Sequence, residues 1–305
     1  MTADILCHEV VKRYGAVTAV DGLDLEVHEA EMHGLIGPDG AGKTTLLRIL
    51  CGLLFANSGS VRLAGLDPKT QSRALRAYLG YMPQRFSLYP DLTVAENLRF
   101  FADLFQVKAA EREKRLQRLL EFSRLGPFSD RRAAALSGGM KQKLALSCTL
   151  IHTPRILLLD EPTTGVDPVS RREFWDILAE MRGQGVTILV STPYMDEAAR
   201  CDRISFIHKG KTLVTDAPGR VPGLFQQQLF EVTTRQNVAA ARAIQACGGF
   251  AGVQVFGDRI HVSASGDTAV LQKEIAACLR ARQIDYSEIR PIPATIEDVF
   301  VELLR

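Results

Sequence analysis

Residues 37–45 read GPDGAGKTT and satisfy the pattern G-x-x-x-x-G-K-[ST]. The residue types suit a loop that wraps phosphates. Gly37, Gly40 and Gly42 let the backbone turn tightly, and Pro38, Asp39 and Ala41 complete the loop, so that successive N–H groups face inward. Lys43 can reach the β- and γ-phosphates. The Thr44 hydroxyl can ligate Mg²⁺, and Thr45 can bond the α-phosphate. By itself the loop leaves GTPases, kinases and ATPases open.

The loop must be carried between a strand and a helix, and both are legible. Met32–Ile36 is a compact apolar run leading into the glycines, and a helix is expected over Lys43–Leu50. Upstream, Leu23, Leu25 and Val27 alternate with acidic residues, as in a strand with one wet face. Ile156–Asp160 and Val186–Val190 suit buried parallel strands. Residues 91–150 read as helical. Thr93 and Glu96 have capping-box spacing, and Leu98, Phe101, Ala102 and Phe105 form one apolar stripe. The charged run Glu111–Arg118 reads as a solvated helix face.

Pro218, Gly219, Pro222 and Gly223 mark a linker over residues 217–224. Beyond it strands are expected at Phe230–Thr234, Val253–Phe256, Arg259–Ser263 and Ile284–Ile289, with helices near Val238–Cys247 and Thr268–Arg280. That order is a split βαβ arrangement. A last helix carries Ile296, Val299, Phe300 and Leu303 on one face, and Glu297 and Asp298 read as its start. The chain of 305 residues suits two domains, with 46% apolar and 24% charged residues and a net charge of +2. So small a charge gives no argument for nucleic acid, and none is expected as a partner. No run approaches the roughly 20 apolar residues of a membrane span, and the N-terminus does not read as a signal peptide. The six cysteines form no CxxC pair and are expected to be reduced thiols.

Two further motifs follow the phosphate loop in order: LSGGMKQ at 136–142 and ILLLDE at 156–161. Over about residues 4–216 the chain resembles an ATP-binding-cassette (ABC) ATPase. The resemblance implies an α/β fold: a P-loop NTPase (RecA-like) core with an antiparallel β subdomain and a helical subdomain at about 87–150. A small α+β, ferredoxin-like domain at 225–305 would follow this nucleotide-binding domain at 1–216. The cofactors implied are ATP and Mg²⁺. In the family, Leu136, Ser137, Gly138, Gly139 and Gln142 form a signature that contacts the γ-phosphate of ATP held by a second cassette. Asp160 can bind Mg²⁺, and Glu161 is placed to polarise the attacking water. Gln84 in YMPQ matches a glutamine that contacts Mg²⁺ and the attacking water. Tyr14 in KRYG matches the aromatic that stacks on adenine, and Asp167 in TTGVDP the aspartate that crosses the dimer interface.

One position departs from the pattern. The strand after the Asp-Glu pair usually ends in a histidine that bonds the γ-phosphate, and here Pro193 stands there. Proline offers neither a side-chain donor nor a backbone N–H. Either the chain pairs with a different, complete cassette whose site its signature serves, or it forms a homodimer in which Tyr194 or another group substitutes. The first is the favoured expectation.

The segments GLLFANSGSVRLAGLDP, LGYMPQRFSLYPDLTVAENLRFFADL and STPYMDEAARCDRI resemble the ATPase subunits of ABC-2-type exporters, near the first cassette of fused multidrug ATPases. That implies ATP-driven export of a drug-like or other small substrate through separate permease chains. The location implied is cytoplasmic, on the inner face of the plasma membrane. Arg85–Tyr89, including Phe86, would lie near the permease's coupling helix. The other readings are a soluble ABC ATPase working on nucleic acid or the ribosome, and a slow-hydrolysing regulatory cassette paired with a complete one.

Overall fold

The structure, a computed structural model, describes residues 2–85 and 88–304. These residues divide into two compact units, Met1–Pro218 and Gly219–Arg305.

The first unit opens on two long strands, β1 (Ala3–Tyr14) and β2 (Val17–His28), whose inward residues Ile5, Cys7, Val10, Leu23, Leu25 and Val27 are buried. Next come β3 (Met32–Ile36), α1 (Lys43–Leu50), β4 (Ser58–Leu63), α2 (Ser72–Leu75) and β5 (Leu79–Met82). Three helices follow: α3 (Val94–Leu104), α4 (Ala109–Phe122) and α5 (Gly138–Leu150). The unit closes with β6 (Ile156–Asp160), α6 (Pro168–Gly183), β7 (Thr187–Thr192), α7 (Met195–Ala198), β8 (Arg203–His208) and β9 (Lys211–Asp216).

Two sheets result. One is antiparallel, in the order β2-β1-β4; the other runs β5-β6-β7-β3-β8-β9 and is parallel except for its last strand. Every residue of β3, β6 and β7 is buried, which is why these strands read as mostly apolar rather than alternating. Because β5, β6, β7 and β3 are parallel, their C-terminal ends share one edge of the sheet, where ligand crevices of such sheets form. The phosphate loop follows β3, Gln84 follows β5, Asp160 ends β6 and Pro193 follows β7.

The helical stretch expected over 91–150 is three helices joined by irregular segments. The Thr93–Glu96 capping box forms on α3, and Leu98 and Ala102 are buried. Phe105 caps that helix instead and stacks on His152, with ring centroids 4.0 Å apart.

A buried polar line crosses from β3 to β9. His33 Nδ1 lies 2.8 Å from Glu31 Oε1, and His33 Nε2 lies 2.8 Å from Ser205 Oγ, itself 2.6 Å from Thr215 Oγ1. The spacing has the look of an acid–base–nucleophile relay. Ser205 and His33 are wholly buried, so the line is structural. Burial holds the His33 imidazole below its ordinary pKa despite the pull of Glu31. The ring is therefore neutral near pH 7: it donates from Nδ1 to Glu31 and accepts the Ser205 hydroxyl proton at Nε2. His33→Ala strips a partner from two buried groups and is expected to lower stability by about 3 kcal/mol in denaturant melts. The pH sign follows from the depressed pKa. Below the unfolded value of about 6.5 the unfolded chain takes a proton the folded chain refuses. Stability due to His33 is thus full above that pH and falls as pH drops, by up to about 1.4 kcal/mol per unit. The variant should lose this one-proton component of the slope below about pH 6.5.

The second unit begins with a 3₁₀ turn at Val221–Leu224, in which Val221 is fully buried. Its strands are β10 (Gln228–Thr233), β11 (Gly252–Phe256), β12 (Arg259–Ala264) and β13 (Glu288–Pro291). Its helices are α8 (Asn237–Cys247), α9 (Thr268–Ala281) and α10 (Ile296–Leu303). The sheet order β11-β12-β10-β13, antiparallel throughout, is the split βαβ (ferredoxin-like) topology expected from the sequence. Phe230, Val232, Ile260 and Val262 of the sheet share a core with Ile244, Ile275 and Leu279 of α8 and α9.

Two local expectations are corrected here, those for the final strand and the cysteines, and one is extended. The final strand is Glu288–Pro291, not Ile284–Ile289: Ile284 is buried in the core before the strand begins, so burial, not pairing, explains its apolar character. Asp298 does more than start α10. It completes a capping box with Thr295 and takes a 2.6 Å bond from His261 Nδ1 on β12. The cysteines are not all thiols: Cys247 and Cys278, 31 residues apart, are joined as a disulfide between α8 and α9. No sequence spacing signals a pairing made by packing.

Candidate functional site

The phosphate loop is built as a cradle for an anion. The N-cap of α1 is Gly42 at φ 107°, with no side-chain hydrogen bond and no acidic residue in the first turn. Its leading N–H groups and positive helix end are thus free to meet phosphate. Gly37 is required for a different reason: a Cβ there would sit 2.3 Å from the Ile207 carbonyl oxygen. Asp39 and Gly40 are exposed at the loop tip, Pro38, Thr44 and Thr45 are half-buried, and Ala41 is buried.

Lys43 is buried, and its ammonium lies inside the loop. It donates to the Gly37 carbonyl at 2.7 Å and the Pro38 carbonyl at 3.1 Å, and pairs with Glu161 Oε1 at 3.2 Å. The Thr44 hydroxyl donates to Asp160 Oδ1 at 3.1 Å, and Ser191 Oγ bonds the same oxygen at 3.0 Å. The other oxygen, Asp160 Oδ2, is buried with no hydrogen-bond partner among the described residues. Burial pushes the Asp160 carboxyl above its ordinary pKa, and Glu161 adds to the push, against the bonds from Thr44 and Ser191. An unpartnered carboxylate oxygen beside a threonine hydroxyl is the donor set a hard divalent cation takes.

Glu161 follows β6 with φ at 47°, an unusual backbone for a residue other than glycine. Its N–H donates to the Ser191 carbonyl and hydroxyl oxygens, at 3.1 and 3.0 Å, which fixes that turn. Strain held by neighbours at a carboxylate is a mark of functional placement. Gln84, 77 residues away, donates its amide to Glu161 Oε2 at 3.0 Å. Lys43, Thr44, Gln84, Asp160 and Glu161 are thus one linked set.

Ser137 caps α5 by accepting from the Met140 N–H at 3.3 Å, Gly138 and Gly139 open that helix, Leu136 is buried and Gln142 is half-buried. A Cβ on Gly139 would meet Ser170 at 2.3 Å, so glycine is what lets α5 begin against α6. Asp167 caps α6, accepting from Val169 and Ser170 N–H groups at 3.1 and 2.9 Å. The Ser170 bond leads in holding its carboxyl below the ordinary range. Tyr14 ends β1 with an exposed ring, and the Lys12 ammonium lies 5.3 Å from its centroid. Among the described residues, no hydrogen bond or ion pair joins Tyr14, the signature or Asp167 to the Lys43–Glu161 set.

Pro193 follows Thr192, which stands opposite Ile36, the last strand residue before the phosphate loop. Tyr194 is held elsewhere: its ring lies against the Arg171 guanidinium at 4.3 Å. Sequence reading missed two features. Thr163, Thr192 and Arg171 converge on buried Glu197. A cavity of about 410 Å³ is lined by Gln84, Arg85, Leu88, Lys141, Gln142 and Ala145, among others, joining two motifs that lie far apart in sequence. Tyr89 is exposed and packs on Phe100, centroids 4.4 Å apart. Phe86 lies outside the described residues.

A phosphate loop after β3, an Asp-Glu pair at the end of β6 and a glutamine after β5, all at the ends of parallel strands of one sheet, define a P-loop nucleotide hydrolase. A family model described as ABC transporter matches residues 20–164. The Nod factor export ATP-binding protein I of Paraburkholderia xenovorans is 37% identical over 299 residues, covering 97% of this chain and 95% of that one. A probable multidrug ABC transporter ATP-binding protein, YbhF of Escherichia coli, is 54% identical over 200 residues, 66% of this chain. The match spans only 35% of that relative's length. The solved dimeric structure of MJ0796, a bacterial ABC transporter cassette, aligns at TM-score 0.62 with 27% identity, covering 70% of this chain and 98% of that one. The chain belongs to the ABC transporter family, as an ATP-binding cassette protein.

Proposed function

We propose that this chain is the ATP-hydrolysing subunit of an ABC-2-type exporter, moving a drug-like or other small substrate through separate permease chains. Support comes from the near full-length similarity to a Nod factor export ATP-binding protein, which takes in the second unit as well as the first. In this reading residues 1–216 are the nucleotide-binding domain, 217–224 a linker and 225–305 an accessory domain. No helix among the described residues is long and apolar enough to cross a membrane, which suits a subunit placed on the cytoplasmic face beside its permease. A nucleic-acid or ribosome partner gains no support from a net charge of +2.

The observation that carries the chemistry is the linked set around Glu161. Lys43 would move from Glu161 to the β- and γ-phosphates, and Tyr14 would stack on adenine. Thr44, Asp160 and Gln84 would hold Mg²⁺, which supplies positive charge for the phosphate oxygens. Release of Lys43 leaves Glu161 free to accept a proton from water positioned with help from Gln84. Ser137, Gly138 and Gly139 would face the nucleotide of a second cassette, with Asp167 at that interface.

Co-purification from membranes with identification of the bound chains tests the exporter reading. Recovery of permease chains is expected, and recovery of ribosomes or nucleic acid would overturn it. The cavity beside Gln84, with exposed Tyr89 nearby, fits the place where a permease would dock. Tyr89→Asp is expected to uncouple ATPase from transport in a reconstituted complex, and unchanged transport would count against that docking face.

Pro193 favours one refinement: the chain's own site turns over slowly, and its signature serves a complete partner cassette. Robust ATPase activity of the purified chain alone, abolished by Glu161→Gln, would sink this refinement.

A further inference from the structure

The chain's cysteines fall into two chemical kinds. Cys7, Cys148 and Cys201 are buried and Cys51 is nearly so. Burial pushes all four thiols up, Cys7 to about 12 with a further push from Asp24. Such thiols are almost never thiolates near neutral pH and stay out of exchange chemistry. Cys247 and Cys278 differ. Cys247 is the last residue of α8 and is exposed, whereas Cys278 lies within α9 and is buried. Their Cα atoms are 6.1 Å apart, inside the span a disulfide bridges without moving the backbone. The two helices lie on one face of the second unit's sheet, where Ile244, Ile275 and Leu279 join its core.

We propose that Cys247–Cys278 is a reversible redox site in the second unit, opened and closed by thiol–disulfide exchange with a cellular dithiol of the thioredoxin class. The argument for reversibility rests on the cytoplasmic location proposed above, where lasting disulfides are rare and those present act as sensors or catalysts. Exposure sets the direction of attack. A thiolate of the dithiol strikes the Cys247 sulfur, breaking its bond to Cys278, which leaves as thiolate and takes a proton. The second thiol of the dithiol then attacks the mixed disulfide and frees Cys247. Two electrons pass to the protein, and the dithiol leaves as its own disulfide; oxidised dithiol runs the same steps backwards. Opening removes the one covalent tie recorded between α8 and α9 and leaves apolar packing to hold them. The unit then has more conformations to gain on unfolding.

The test uses the full chain purified without reductant, denatured and alkylated before or after reduction. Four cysteines are expected to alkylate before reduction, the free set Cys7, Cys51, Cys148 and Cys201, with Cys247 and Cys278 added after it. A second arm equilibrates the native chain with mixtures of reduced and oxidised dithiothreitol. The pair is expected to open and reclose without unfolding, lowering the unfolding midpoint of the second unit by roughly 10 °C when open. Cys278→Ser should sit at the lower midpoint in all mixtures and, given oxidised glutathione, form a mixed disulfide at Cys247. Both cysteines alkylated from the start, or a pair that yields only after denaturation, would overturn the proposal. Neither readout depends on ATP turnover or on a permease, so the exporter reading stands or falls separately.

Discussion

Glu161→Gln is expected to cut ATP turnover by about 10²- to 10⁴-fold, the range a positioned general base supplies. The amide keeps the size of the carboxylate and can still meet Gln84, but it cannot take a proton from water. Nucleotide binding should persist. Lys43 loses its 3.2 Å ion partner yet keeps two loop carbonyls, at 2.7 and 3.1 Å, so the cradle retains its shape. An ammonium no longer drawn to a carboxylate is also freer to meet phosphate. Turnover should be measured beside a nucleotide-binding isotherm and a thermal melt. Turnover within about threefold of the parent, with binding intact, would remove Glu161 from the role of base.

Pro193→His is expected to raise turnover of the chain alone by roughly 10- to 150-fold. That is the rate equivalent of one hydrogen bond to a charged group, about 1.5–3 kcal/mol, felt in the transition state. The position supports the size of the effect. Pro193 follows a strand that pairs on one side with β3, which leads into the phosphate loop, and on the other with β6, which ends at Asp160. A side chain placed there borders the loop and the Asp-Glu pair together. The gain should vanish in the double variant with Glu161→Gln, since a donor to phosphate accelerates nothing without the base. An unchanged rate in the single variant would mean that Pro193 is not the cause of slow turnover, and the homodimer reading would regain ground.

The two predictions differ in what they ask of the sequence. Glu161 stands out from its neighbours: an apolar strand that ends in Asp-Glu is legible in six residues. The effect of Pro193 is legible as a departure, but its weight depends on where Tyr194 goes. Only the structure shows that ring held by Arg171. Gln84 is similar. As a lone glutamine it carries no chemistry, and it becomes part of the site because β5 and β6 pair in parallel and end side by side.

By itself, then, the sequence determined the phosphate loop, the helix it opens, the signature turn, the Asp-Glu pair and the split βαβ order of the second unit. Each is contiguous, so backbone geometry and residue type act over a few neighbouring positions and leave a readable pattern. Tertiary structure alone decided which distant groups meet: Lys43 with Glu161, Thr44 with Asp160, the buried line from Glu31 to Thr215, and Cys247 with Cys278. Burial decided the rest. It leaves one Asp160 oxygen without a hydrogen-bond partner among the described residues, keeps His33 neutral, and turns Ile284 from an apparent strand residue into core. Packing against residues far along the chain sets those outcomes, and local spacing does not encode it.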